Sequence, residues 1–244
     1  MNVIRPLFLS VALCTIAVAD PSQDAQDRIV EQWSKVKSMV ANTMLDGTIE
    51  YPSNTIRNQK TGTYKYLRKD GMDLVRQDSQ GTQTLALQAQ KEVKTTTSTE
   101  LLIMVADGKY IYTLAEGEQS RIASKRDQAG AGVVIGGKEL VETMRRNATL
   151  NLLGEDKVDD QEVYVFESLP TGKNSGKYKT RYYVSKDRGL MIKREAIAIN
   201  DGEEHITTTY FVRNPKFDVE IDPGLFELTF PEGVEVRDMT EKKQ

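Results

Sequence analysis

The sequence predicts an α+β fold: one large, curved antiparallel β-sheet with two helices laid over one of its faces. Three observations lead there. Twelve short segments rich in Thr, Val, Ile, Tyr and Phe are bounded by turn chemistry. Several of the turns are tight, namely Asp70-Gly71, Asp107-Gly108, Glu116-Gly117, Arg188-Gly189 and Asp201-Gly202, and strands joined by such turns must be antiparallel neighbours. Two amphipathic helical patterns stand apart in the chain and cannot bury their apolar stripes on each other alone, so they are expected to cover one face of the sheet.

The first element is a targeting segment. Arg5 precedes an apolar run, residues 7–18, that closes on Ala17-Val18-Ala19, the pattern of a cleaved secretory signal peptide over residues 1–19. One domain over residues 20–244 is expected to remain, exported to the periplasm. The run is short for a bilayer span, and no later segment is long and apolar enough for one. The only cysteine, Cys14, falls inside the signal, so the mature chain is expected to have no disulfide, thiolate nucleophile or thiolate metal site. Leu13 stands where a lipid-attachment cysteine would need a small residue. Loss of Arg5 leaves 32 Lys and Arg against 36 Asp and Glu, a formal charge of −4, which argues against nucleic acid as a partner.

The mature chain opens with a helical pattern over residues 23–41. Ile29, Trp33, Val36 and Val40 recur on one face, with Asp24 and Asp27 in the first turn where the helix dipole favours them. Strands are predicted at 44–51, 63–68, 72–78, 82–90, 95–106, 109–115 and 119–125, then at 162–169, 177–185, 190–199, 204–213 and 226–230. Between the two sets, a glycine-rich stretch, residues 130–137, leads into a second helical pattern over 138–153 carrying Leu140, Val141, Met144, Leu150, Leu152 and Leu153.

No catalytic constellation stands out. Gly132, Gly137 and Lys138 have the spacing of a phosphate-binding loop, but Glu139 occupies the place of the magnesium-binding hydroxyl and no parallel α/β pattern surrounds it. His205, the only histidine, lies in an alternating strand pattern, without a nucleophile elbow anywhere in the chain. The acidic groups Asp156, Asp159, Asp160 and Glu203, Glu204 sit beside turn signals and read as solvated corners. No enzyme activity, metal or cofactor is expected. What remains is a supply of apolar and aromatic side chains at period two, among them Tyr110 with Tyr112 and Tyr164 with Phe166. They read either as a dry core or as the lining of a hollow that a curled sheet leaves open.

Four stretches carry a resemblance to a known family: residues 33–47, residues 107–112 with 119–122, residues 158–166, and the closing run 226–236 with Phe226, Phe230, Pro231, Gly233 and Val234. In that order they resemble the outer-membrane lipoprotein carriers, the LolA- and LolB-like proteins. The resemblance implies a half-barrel whose helices act as a lid over an apolar cavity for the acyl chains of lipoproteins. The family's Arg-Pro-x-x-Phe-Arg segment is replaced here by Tyr64-Lys65-Tyr66-Leu67-Arg68, which leaves open whether Arg68 or Arg76 ties to the lid.

The resulting expectation is a monomeric exported carrier that binds a lipoprotein's acyl chains or a lipid and exchanges it between envelope donor and acceptor proteins. The candidate lining is Trp33, Ile103, Tyr110, Tyr112, Tyr164, Phe166 and Met191. The alternative is a lipid-sensing or regulatory module acting through a membrane-protein partner.

Overall fold

The computed structural model describes residues 20–51, 54–89, 92–118, 120–127 and 134–240; the segment read as a signal peptide lies outside the described residues. Helix α1 (Pro21–Ser34) is followed by strands β1 (Ser38–Tyr51), β2 (Asn54–Lys69), β3 (Met72–Ala89), β4 (Glu92–Ala106), β5 (Tyr110–Gly117) and β6 (Arg121–Asp127). Helix α2 (Gly137–Arg145) leads to β7 (Ala148–Val158), β8 (Gln161–Pro170), β9 (Tyr178–Ser185), β10 (Met191–Asn200) and β11 (Glu203–Phe217), and a short β12 (Val236–Asp238) comes last. All twelve strands form one sheet in the order β12-β6-β5-β4-β3-β2-β1-β11-β10-β9-β8-β7. Two meanders are thus joined where β1 pairs with β11, and every pairing is antiparallel except that of β12 with β6. The edges β7 and β12 do not meet, so the sheet is a curved, unclosed half-barrel.

The curl has a local cause in β2 and β3. A Cβ at Gly62 would overlap the Asp78 carbonyl, and one at Gly81 would overlap the Gln59 carbonyl, so each strand presses on the other's backbone where it has no side chain. Glycine in a strand interior permits such a bend.

Register assigns the faces. Met39, Tyr66, Val75, Ala106 and Ile111 lie opposite one another across β1 to β5. Tyr66 packs on Trp33 of α1, with ring centroids 4.8 Å apart, so this row lies on the helix-covered, concave face. Their chain neighbours Leu74, Val105 and Tyr112 therefore point to the convex face. On the concave side, Ile29 and Trp33 of α1 and Leu140 and Met144 of α2 are buried against Tyr64, Tyr66, Phe166, Val184 and Met191. Full burial of each such side chain contributes roughly 1.5–3 kcal/mol. A second cluster, Leu74, Val105 and Phe226, with Ile103 and Leu228 packed against it, holds the C-terminal segment on the convex face.

Four expectations are corrected. The first helix stops at Ser34 rather than at residue 41, and residues 38–41 belong to β1, which pairs with β2 and β11. Ladders on both sides satisfy the backbone there, and Met39, Ala41 and Thr43 are buried at period two. The second helix stops at Arg145. Asn147 adopts a left-handed φ of 52°, a common way to end a helix, and Leu150 and Leu152 then belong to the edge strand β7. Residues 226–230 are not a strand. Asp222 accepts a hydrogen bond from the Gly224 N–H at 2.9 Å, a 3₁₀ turn covers Pro223–Phe226, and the chain then crosses the convex face without a ladder partner. The predicted strands 72–78 and 82–90 fall largely within one continuous strand, β3.

Candidate functional site

A cavity of about 450 Å³ lies between α2 and the concave wall. Val134 and Leu140 close it from above, and Leu45, Leu102 and Met191 form apolar parts of the sheet wall. Its size falls within the roughly 300–1,000 Å³ of ordinary ligand pockets. Strand alternation puts Leu102 there and turns its neighbour Ile103 away.

The lid over this hollow is held by α1 and by the segment preceding α2. Asp20 caps α1, its carboxylate accepting from the Ser22 N–H at 2.9 Å. Trp33 lies against Gly136 and Gly137, where a Cβ would overlap its indole; Gly137 also has a φ of +70°, so the turn into α2 suits glycine on both counts. The Ile135 carbonyl accepts from the Met191 N–H at 2.6 Å, anchoring this segment to β10. Arg68 reaches the other end of α1: its Nη1 donates to the Ser34 carbonyl at 2.7 Å while its Nε donates to Asp73 at 2.9 Å. Burial and the hydrogen bond to Asp73 raise the Tyr66 phenol well above its usual range. Arg76 serves a different segment, donating from Nη1 to the Leu225 carbonyl at 3.0 Å. Of the two arginines, Arg68 therefore touches a helix and Arg76 the C-terminal segment.

The wall of the cavity is mixed in character. Tyr182, Arg194, Tyr210, Leu45 and Lys60 are successive cross-strand neighbours from β9 through β10, β11 and β1 to β2. The row continues through Gly81 to Glu100, and because Gly81 has no side chain Lys60 and Glu100 meet across it at 2.5 Å. The Arg194 guanidinium lies 5.7 Å from the Tyr210 ring centroid. Burial pushes the Tyr210 phenol up to about 12, with the Arg194 charge acting in the opposite direction. Gln77, buried beside the same cavity, has a side-chain oxygen without a hydrogen-bond partner among the described residues.

The seven expected lining residues do not share one surface. Met191 lines the cavity. Trp33, Tyr164 and Phe166 are buried in the core between helices and sheet and do not line it. Ile103, Tyr110 and Tyr112 lie on the convex face: Ile103 packs on the cluster of Leu74, Val105 and Phe226, Tyr112 approaches Phe230 at 6.3 Å, and Tyr110 lies beneath Lys125 at 4.0 Å. Period two establishes that Tyr110 and Tyr112 share a side but not which side, and the C-terminal segment claims that side. Leu45, Leu102, Tyr210 and Arg194 went unrecognised in the sequence, while Leu140, read there on the covering helix, and Tyr182, read there among the period-two aromatics, line the cavity although neither was among the seven. Leu102 stands in the uninterrupted apolar run 101–105, which has no polar alternation to reveal its face. Among the described residues no group of three His, Cys, Asp or Glu side chains is placed to hold a metal ion, and no helix is long and apolar enough to cross a membrane.

Fold and cavity together define an open β half-barrel whose hollow is partly covered by two helices. Solved structures similar to this chain include LolA superfamily and lipoprotein-sorting proteins, all at low identity. A LolA superfamily protein of Nitrosomonas europaea matches over 86% of this chain and 99% of its own, at 9% identity and a TM-score of 0.28. An outer membrane lipoprotein-sorting protein domain of Vibrio parahaemolyticus matches over 84% and 93%, at 15% identity and a TM-score of 0.31. MucB matches over 85% of this chain, at 12% identity and a TM-score of 0.46, and this chain spans 62% of MucB. No protein-family model and no curated protein matches the sequence.

Proposed function

We propose that this protein is an exported, non-enzymatic carrier that takes an acyl chain of a lipid or lipoprotein into its concave hollow and moves it through the periplasm between envelope donor and acceptor. The observation that carries this reading is the hollow itself, about 450 Å³ left between α2 and the sheet. Each methylene that leaves water for such a space contributes about 0.8 kcal/mol. A carrier must also release its load, so this gain has to be nearly balanced by the cost of opening the lid. The lid fits that need: α2 has nine residues, begins at Gly137 and offers Leu140 and Met144 as the apolar contacts that opening would break.

Native mass spectrometry of the protein purified from its own envelope tests the reading. A non-covalent lipid adduct, identified after extraction, is the expected result. No adduct, together with no uptake of a fluorescent fatty acid by the purified chain, would overturn it.

A further inference from the structure

We propose that the cavity selects acidic amphiphiles, with Arg194 taking a carboxylate or phosphate head while the hydrocarbon tail lies beneath α2 against Leu140, Leu102 and Met191. This rests on the carrier reading and adds the chemistry of the cargo's head.

Two cations on one wall of the cavity differ in their partners. Lys60 is neutralised across Gly81 by Glu100 at 2.5 Å. Arg194, in the same cross-strand row, has the Tyr210 ring as a neighbour but no ion pair or side-chain hydrogen bond among the described residues. A guanidinium carries five N–H donors in a planar fork that matches a carboxylate or phosphate edge to edge. The nearest carboxylate in sequence, Glu195, points to the opposite face, where it pairs with Lys193 at 2.5 Å and accepts from the Tyr183 hydroxyl at 2.9 Å. It is therefore committed elsewhere.

The surroundings of Arg194 strengthen an incoming anion rather than compete with it. Tyr182 and Tyr210 flank it in the row, and the Tyr210 ring beside the fork lowers the polarity there without offering a negative charge. The lone Gln77 oxygen gives the cavity a second unmet polar need, an acceptor that suits a hydroxyl or amide donor. A cavity built only for hydrocarbon would have neither group on its wall.

The test measures affinities of the mature chain for dodecanoate, dodecyl phosphate and methyl dodecanoate by displacement of a fluorescent fatty acid. A charge-assisted contact predicts that at least one anion binds on the order of tenfold to a hundredfold more tightly than the neutral ester. Arg194→Gln is expected to bring the anions to the ester's affinity while leaving the ester unchanged, and Arg194→Lys to restore part of the preference. Which anion is preferred identifies the head as carboxylate or phosphate. Equal binding of all three ligands by the wild-type chain would overturn the proposal and leave the carrier reading standing. The same holds if Arg194→Gln, with an unchanged circular dichroism spectrum, keeps the preference or loses the ester as well. Failure of all three to bind would overturn both.

Discussion

Replacing Trp33 with alanine removes the side chain at which α1, the turn into α2 and the sheet come together. The indole is 4% exposed, lies 4.8 Å from the Tyr66 ring and fills the space over Gly136 and Gly137. Truncation of a buried Trp costs about 3–5 kcal/mol, and the cost is larger where the surroundings cannot close the gap. Here the segment above the ring is pinned by the Ile135–Met191 backbone hydrogen bond at 2.6 Å and by a bridge between Gly136 and Leu190, so the upper half of that range is expected. For a domain of this size each kcal/mol moves the melting temperature by roughly 2–4 °C, which places the loss at about 8–20 °C. Urea and thermal unfolding followed by far-ultraviolet circular dichroism measure it without the tryptophan signal. A loss below about 1 kcal/mol would show that Trp33 is not the anchor of the lid.

Phe226→Ala is expected to cost about 3 kcal/mol by emptying the convex cluster with Leu74 and Val105, and to expose the C-terminal segment to limited proteolysis at concentrations that spare the wild type. An unchanged cleavage pattern would contradict that docking. On the alkaline side, burial raises the Tyr210 phenol in the folded state to about 12, so its contribution is fully present below the ordinary tyrosine value of 10.0 and is lost as pH rises through the folded value. The loss amounts to about 3 kcal/mol at most. Urea midpoints between pH 9 and 11.5 should therefore fall less steeply in Tyr210→Phe than in the wild type; parallel curves would refute the assignment.

The two meanders were legible from turn chemistry. Asp70-Gly71 and Asp201-Gly202 close hairpins β2–β3 and β10–β11, both with left-handed residues at the turn. The joining of the meanders by β1 and β11 was not legible, because it is a long-range pairing without a local turn. The end of α1 was hidden by coincidence: Val36 and Val40 continue the helical spacing of Ile29 and Trp33, although the chain passes into a strand between them. At the second helix, Asn147 was the available signal for a stop, while the leucines beyond it suggested continuation. The closing run 226–230 does alternate, and Phe226 and Leu228 do pack inward. Alternation reports a one-sided burial, and here the burial comes without a hydrogen-bonded neighbour. For the cavity, an apolar strand pattern could indicate that a hollow would be lined, but the face taken by each residue depended on where the C-terminal segment lies. Arg194 was invisible in the sequence because its meaning comes from having the Tyr210 ring, and no ion-pair partner among the described residues, on its own face.

The most direct measurement is fatty-acid uptake by Leu102→Trp, which places an indole in the hollow from the sheet side, compared with the wild type under conditions where both give the same circular dichroism spectrum. A carrier that uses this hollow predicts saturable uptake by the wild type and at least about tenfold weaker binding by the variant. Equal uptake by the two chains, or none by the wild type, would contradict it.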